Sequence, residues 1–178
     1  MSTTTTTISD SVAVIRGNIS TLSILVNNQP GVLMRICQVF SRRGFNIDSL
    51  VVSEGRNANF SRMTIGISGD PGGLHQIIMQ VNKLIDVIHC FEHHSENSVT
   101  KEMVLIKIRC SPDERSQALQ ITEHFGGKTV DLTPVSLIVM ISGDSPKIDA
   151  AVAMFSQFSI IETVRTGKVV MARGEQPT

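Results

Sequence analysis

The chain has 178 residues and repeats itself once, and this repeat restricts its fold more than any other feature. The motif ISGDP at residues 67–71 returns as ISGDSP at residues 141–146. Pro30 and Gly44 lie fourteen residues apart, and so do Pro112 and Gly126. Since apolar runs follow in the same order in both halves, we predict two small domains that are diverged copies of one unit.

The periodicity of apolar residues in the first half of the chain predicts the element order βαββαβ. Strands are expected at residues 21–26, 45–53, 61–68 and 87–93, where apolar and β-branched residues are concentrated. Apolar residues at steps of three and four predict a helix that starts near Val32 and ends near Gly44, a residue suited to a helix C-terminus. The same spacing predicts a second helix that starts at Leu74.

The second half follows the same order. It predicts strands at 103–110, 128–132 and 136–142, helices from 113 to about 125 and from 146 to about 158, and one final strand, IIETVRTGKVVMA. The predicted fold class is α+β, with two ferredoxin-like (βαββαβ) domains in tandem. We expect a disordered tail at 1–19, domains at 20–96 and 97–174, and a tail at 175–178.

Charge and cysteine content exclude several classes of partner. Sixteen basic and sixteen acidic side chains cancel, so no net field attracts nucleic acid or an anionic membrane. No apolar run approaches the roughly 18 residues that a transmembrane helix needs. Three widely spaced cysteines outside any C-x-x-C pattern favour reduced thiols. The composition therefore predicts a cytoplasmic protein with no nucleic-acid and no membrane partner.

The predicted sheets have consequences for assembly. A four-stranded antiparallel sheet with both helices on one side has an exposed edge, and no helix covers its other face. Pairing with a second copy, edge to edge or face to face, is the expected remedy. We therefore predict a homodimer formed through the first domain.

The segment VNNQPGV, at residues 26–32, connects the first predicted strand to the first predicted helix. The first N–H groups of a helix have no partners within it and attract a carboxylate. Gly31 has no Cβ and lets a ligand approach the backbone, while the amide of Asn28 can bind a carboxylate or an ammonium. These features suit a small zwitterion, and Asn46 of a partner subunit could complete the site.

The alternative interpretation is that this segment is a tight turn whose asparagines cap the helix. The positions equivalent to Asn28, Gly31 and Asn46 are occupied in the second copy by Cys110, Asp113 and Lys128. The fold therefore does not require asparagine or glycine there, and an acid would repel a carboxylate. The comparison of the two copies favours a ligand site in the first copy.

Two segments contain residue types found in metal sites or phosphate-binding loops, but neither segment predicts such a site. HCFEHH, at residues 89–94, lies in a predicted strand, where residues four apart are about 13 Å apart and cannot share a metal ion. GDPGG, at residues 69–73, lacks the Gly-Lys-Ser/Thr ending of a P-loop. Its repeat suggests instead that Asp70 and Asp144 begin helices. We predict no catalytic residue and no metal site.

A series of motifs resembles a known family. In order, the segments NQPGVLMRICQVFSRRGFNIDSL, SRMTIGISGD, KLIDVI, EMVLIKI, VDLTP and IIETVRTGKVVMARG look like the regulatory (small) subunit of acetohydroxyacid synthase, also called acetolactate synthase. The resemblance runs from about residue 20 to residue 174. It implies an ACT domain that forms a homodimer and binds a branched-chain amino acid, usually valine. It also implies that the second domain engages and activates the catalytic (large) subunit.

The resemblance implies particular residues and cofactors as well. The family's effector site falls on Asn28, Gly31, Val32 and Leu33 of one subunit and on Asn46 and Ile47 of its partner. Thiamine diphosphate, Mg and FAD are expected in the catalytic subunit, and this chain is expected to be no enzyme itself. One departure is Asn27, where relatives often carry an acid.

Two alternatives differ in class. The first is a free-standing ACT-domain amino-acid sensor that regulates another enzyme or transcription. The neutral charge balance and the lack of a recognisable helix-turn-helix disfavour it. The second is a small enzyme on a ferredoxin-like fold, which the lack of an acid-base or nucleophile constellation disfavours.

Overall fold

The computed structural model of the chain describes residues 19–175 and residue 178. Its elements are β1 Ser20–Asn27, α1 Val32–Arg42, β2 Asn46–Glu54, β3 Phe60–Ser68, α2 Leu74–Val81, β4 Val87–His93, β5 Ser98–Arg109, α3 Pro112–His124, β6 Lys128–Leu132, β7 Ser136–Gly143, α4 Ser145–Phe155, β8 Ser159–Arg165 and β9 Val169–Ala172. A 3-10 turn, Pro71–Gly73, precedes α2. The predicted disordered tail at 1–19 lies outside the described residues except for Ile19.

The element order confirms the predicted α+β fold with two ferredoxin-like units. The first sheet has the strand order β2-β3-β1-β4, and the second has β6-β7-β5-β8, with antiparallel neighbours throughout. Gly44 and Gly126 have φ angles of 70° and 58° and follow α1 and α3, as a helix-terminating glycine should. The repeat in the sequence is therefore a repeat of structure.

Each unit has its own core. Alternate residues of β1 (Leu22, Ile24 and Val26) pack with Ile36 and Phe40 of α1 in the first core. A separate buried cluster in the second unit centres on β5, β7 and α4, with Val104, Ile106, Ile108, Leu137, Val139, Ile141 and Phe155 fully buried. Period-two burial in the strands and helix-spaced burial in α1 are the patterns from which the units were predicted.

The prediction of one final strand was wrong. IIETVRTGKVVMA forms two strands, β8 and β9, which are separated by residues 166–168. β5 has 12 residues and extends beyond the second sheet, so its first four residues need another partner. β9 supplies that partner by pairing with residues 98–101. The last helix, α4, also ends three residues earlier than predicted, and Phe158 packs beyond its end into the second core.

Both helices of the first unit pack on one face of its sheet, as expected, but other parts of the chain cover part of the second face. Ser23, at the centre of this face, is fully buried, and Thr64 is 5% exposed. Gly167 approaches Val51, which belongs to the same face, and the carbonyl oxygen of Thr178 lies 3.3 Å from His89 Nε2. Because the chain itself returns towards this face, part of it is covered, and the first sheet keeps two edge strands, β2 and β4.

The helices in residues 19–175 are short. None of them is long and apolar enough to span a bilayer. The aspartates of the repeated ISGD motif act as the sequence suggested, since Asp70 accepts a hydrogen bond from the Gly72 N–H and Asp144 accepts one from the Lys147 N–H. These side chains cap the segments that follow them.

Candidate functional site

The connection between β1 and α1 leaves helix N–H groups exposed. Gly31 is the N-cap residue of α1 with φ 84°, and no side chain caps this helix. The Val32 N–H makes a long bond of 3.4 Å to the Gln29 carbonyl. The N–H groups of Leu33 and Met34 have no acceptor within residues 19–175. The start of α1 is therefore a partly positive surface without an internal counter-group.

Asn28 does not cap this helix, so the tight-turn alternative fails on this point. Its Nδ2 donates to the Ala58 carbonyl at 3.0 Å, and its backbone N–H donates to the Asn59 carbonyl at 2.8 Å. These bonds fix the turn to the hairpin between β2 and β3. The Asn28 Oδ1 faces no hydrogen-bond donor among the described residues, so it is available to a ligand ammonium.

Arg35 was missed by the sequence analysis. Its Nε and Nη2 donate to Asp86 Oδ2 at 2.9 and 2.6 Å. Its Nη1 lies 3.3 Å from the point where a Cβ on Gly31 would stand. The ion pair with Asp86 thus holds a guanidinium beside the exposed helix N-terminus. The signal in the sequence was the position of Arg35 four residues after Gly31, one helical turn along.

The two apolar residues of the predicted site differ in burial. Val32 is 2% exposed and belongs to the first core, so only its backbone can face a ligand. Leu33 is partly buried and packs against the edge of that core. Leu33 is therefore the apolar side chain that this turn can offer to an effector.

Asn46 and Ile47 lie at the other end of the first sheet. Asn46 pairs with Ser68, whereas Asn27 pairs with Phe60. Those two β3 residues are eight steps apart, which corresponds to about 26 Å along a strand. Within one chain the structure therefore does not bring Asn46 to Asn28. Asn46 Nδ2 donates to Asp48 Oδ1 at 2.7 Å, and the residue lines an open cleft together with Cys37, Ser41, Gly44, Phe45 and Ile47.

Gly31 and Asp113 do not occupy equivalent positions relative to their helices, contrary to what the repeat predicted. Both residues follow a proline in the sequence, but Gly31 precedes its helix with a left-handed φ of 84°. Asp113 lies inside α3, which begins at Pro112 and is capped by Ser111 with Glu114. The second helix therefore starts two residues earlier relative to the repeat. An acid at position 113 does not show that the first turn tolerates one, since φ near 84° is strained for a residue with a Cβ.

Strand β4 contains two histidines, one cysteine and one glutamate, residue types that can bind metals. No group of three or more His, Cys, Asp or Glu residues in the described part of the chain could hold a metal ion. Burial raises the pKa of the Cys90 thiol to about 12, so this sulfur is a core atom rather than a nucleophile. Burial, with the nearby charges of Arg62 and His94, lowers the pKa of His93.

Two family models match the chain. "AHAS small subunit-like ACT domain" matches residues 22–89, and "Small subunit of acetolactate synthase" matches residues 101–174. The two matches correspond to the two structural units. They leave between them residues 90–100, which comprise the end of β4, its connection to β5 and the first residues of β5.

Curated relatives and a solved structure agree with these models. A probable acetolactate synthase small subunit of Archaeoglobus fulgidus is 41% identical over 156 residues, which cover 88% of this chain and 98% of the relative. The acetolactate synthase small subunit of Mycobacterium bovis is 42% identical over 154 residues, 86% of this chain and 92% of the relative. The crystal structure of the small subunit from Thermotoga maritima superposes with a TM-score of 0.80 at 35% identity, covering 89% of this chain and 99% of that one. The chain therefore belongs to the acetolactate synthase small-subunit family.

Proposed function

We propose that the chain is a non-catalytic regulatory subunit that activates the catalytic subunit of acetolactate synthase and makes it sensitive to feedback inhibition by a branched-chain amino acid, with valine as the first candidate. It would act in the biosynthesis of valine, isoleucine and leucine. The observation that carries this proposal is the uncapped start of α1, with its unpaired N–H groups beside Arg35, in a chain of the small-subunit family.

The proposed effector seat follows from the chemistry of the turn. The N–H groups of Leu33 and Met34 and the Nη1 of Arg35 would bind the carboxylate. The Asn28 Oδ1 would accept from the ammonium, and the Leu33 side chain would contact the aliphatic part. Gly31 lets the carboxylate approach because it has no side chain. A small apolar zwitterion has one group for each of these contacts: a carboxylate, an ammonium and an aliphatic side chain.

A homodimer would complete this seat. β2 is an edge strand, and two of its apolar side chains, Leu50 and Val52, are 36% and 45% exposed. Pairing of β2 with β2 of a second copy in antiparallel orientation would cover these side chains. Because the paired strands run in opposite directions, Asn46 and Ile47 would move to the end of the partner's sheet that carries Asn28 and Gly31.

The edge pairing can be tested by substitution. Val52→Lys is expected to convert the dimer to a monomer at micromolar concentration, because it places a charge in the apolar part of the paired edge. Effector binding should fall at least tenfold in the same variant, since each seat needs residues of both subunits. The matched control is Val130→Lys on β6, another exposed valine on an edge strand. Mass measurement in solution and calorimetry give the readouts. A dimeric Val52→Lys variant that binds effector normally would contradict this interface.

The remaining assignments are part of the same proposal. Residues 20–96 would form the ACT domain for effector binding and dimerisation, and residues 97–174 the domain that engages the catalytic subunit. Thiamine diphosphate, Mg and FAD would reside in the catalytic subunit, and the complex would be cytoplasmic. Thr178 lies near β9, since its Oγ1 accepts from the Ala172 N–H at 2.8 Å.

Reconstitution tests the function directly. The purified chain alone should form no acetolactate from pyruvate, and its addition should raise the turnover of the cognate catalytic subunit. Titration of the reconstituted enzyme with valine, leucine and isoleucine then identifies the effector. Acetolactate formation by a preparation free of the catalytic subunit would contradict the non-catalytic role. Effector binding without any effect on that subunit would favour a free-standing sensor.

A further inference from the structure

The connection between β8 and β9, residues 166–168, is fixed firmly to the second unit. The Thr166 N–H donates to the Met103 carbonyl at 2.9 Å, and the Met103 N–H donates to Thr166 Oγ1 at 2.9 Å. Just before it, Arg165 donates from Nε and Nη2 to the two carboxylate oxygens of Glu102, each at 2.7 Å. Glu102 is 6% exposed. The connection is thus held to β5 by a buried, two-point ion pair.

The same connection contacts the first unit. A Cβ built on Gly167 would stand 2.8 Å from Val51 Cγ2 and 3.3 Å from the backbone N and C atoms of Leu50. A separation below 3.0 Å forces something to shift. The φ angle of Gly167 is not positive, so its backbone conformation does not call for glycine. A side chain at position 167 would therefore press against Val51 and Leu50 of β2.

The strand on the other side of this contact is the one that carries Asn46 and Ile47. Leu50 lies only three residues beyond Ile47, and the register of β2 against β3 shifts between Ile47 and Ser49. Within one chain β2 is hydrogen-bonded to β3 alone, and a bulge disrupts the ladder locally. In the proposed dimer, effector bound at Asn46 and Ile47 would act on a short segment of the same strand that ends at the contact with the second unit.

We propose that the contact between Gly167 and β2 at Leu50 and Val51 transmits effector occupancy from the first unit to the second unit. The inference rests on the proposed function and adds the route of its regulation. Tightly packed groups pass a displacement on rather than absorb it. On one side the connection contacts β2 of the first unit. On the other side Arg165 and Thr166 bind it to β5, the central strand of the second sheet.

A methyl exchange across the contact tests this proposal in the reconstituted enzyme. Gly167→Ala adds a methyl group against Val51 Cγ2, and Val51→Ala removes that carbon. Each single variant is expected to bind effector within about twofold of wild type, because neither position belongs to the seat. Feedback inhibition should weaken in both, with the coupling factor, typically ~5 to 150-fold, falling towards 1. The double variant relieves the clash with Val51 Cγ2, although the added Cβ still lies 3.3 Å from the Leu50 backbone, so it should regain part of the inhibition.

The outcomes distinguish the two levels of the proposal. A wild-type holoenzyme that no branched-chain amino acid inhibits would overturn the proposed function and this route with it. Inhibition in the wild type that persists unchanged in folded Val51→Ala and Gly167→Ala would overturn the route alone. Val51→Ala only shortens a side chain, so it tests the route through this contact even if Gly167→Ala fails to fold. A double variant that binds effector without regaining inhibition would also count against the contact.

Discussion

Gly31→Asp is expected to abolish feedback inhibition while the catalytic subunit is still activated. The new carboxylate would stand in the proposed seat of the effector carboxylate. It would also reach Arg35, because Nη1 lies 3.3 Å from the position of the new Cβ. Like charges at a binding site cost several kcal/mol, whereas allosteric couplings are typically ~1 to 3 kcal/mol. The repulsion should therefore exceed the whole coupling.

The control for this variant is Gly31→Asn, which has nearly the same shape without the charge. Both residues tolerate a left-handed φ better than other L-residues, so both variants carry similar backbone strain. The asparagine variant should bind effector more weakly than wild type but retain inhibition. Calorimetry of the chain and inhibition of the reconstituted enzyme give the two readouts. Equal behaviour of the two variants would show that charge at this turn does not matter and that the effector carboxylate lies elsewhere.

Glu102→Gln is expected to destabilise the second unit by about 3 kcal/mol, the lower end of the cost of breaking a buried ion pair. The substitution leaves the Arg165 guanidinium, whose side chain is 19% exposed, without its buried carboxylate partner, so that only the exposed Asp149 remains paired with it. For a domain of this size the loss corresponds to a fall of roughly 12 to 24 °C in Tm. Thermal unfolding followed by circular dichroism measures it.

Asp149→Asn is the matched control, because Asp149 binds the same guanidinium from an exposed position. Exposed ion pairs contribute about 0 to 1 kcal/mol, so this variant should unfold close to the wild-type temperature. Similar losses in the two variants would contradict a special role for the buried carboxylate.

The stabilisation by Glu102 should also depend on pH. Burial alone would raise the pKa of this carboxyl, but hydrogen bonds from Arg165 and Ser145, with the charges of Arg165 and Lys168, hold the pKa below its ordinary value of 4.5. A group whose pKa is lowered by folding stabilises the native state above its unfolded pKa. The difference in unfolding free energy between wild type and Glu102→Gln should therefore be constant near neutral pH. It should shrink as the pH falls below 4.5 and through the lowered value.

The repeat, the element order and the two separate cores followed from the sequence because local pattern determines them. Strands with alternate apolar residues, such as β1, and helices with apolar residues at steps of three and four, such as α1, must bury one face. Gly44 and Gly126 marked helix ends because a left-handed φ favours glycine. The sequence also indicated N–H groups without partners at the start of α1, but it left open whether the asparagines of VNNQPGV cap them, and the structure shows no side-chain cap.

Only the tertiary structure decided which distant residues meet. Arg35 lies beside Gly31 because Asp86, 51 residues away, binds its guanidinium. Asn46 lies far from Asn28 within one chain because the two are at opposite ends of the first sheet, where Asn46 pairs with Ser68 and Asn27 pairs with Phe60, and nothing local in either segment encodes that distance. The buried face of the first sheet and the contact of Gly167 with β2 likewise depend on where residues 98–101 of β5 extend beyond the second sheet and pair with β9. Such contacts join segments far apart in the chain, and periodicity within a window of about 11 to 18 residues carries no information about them.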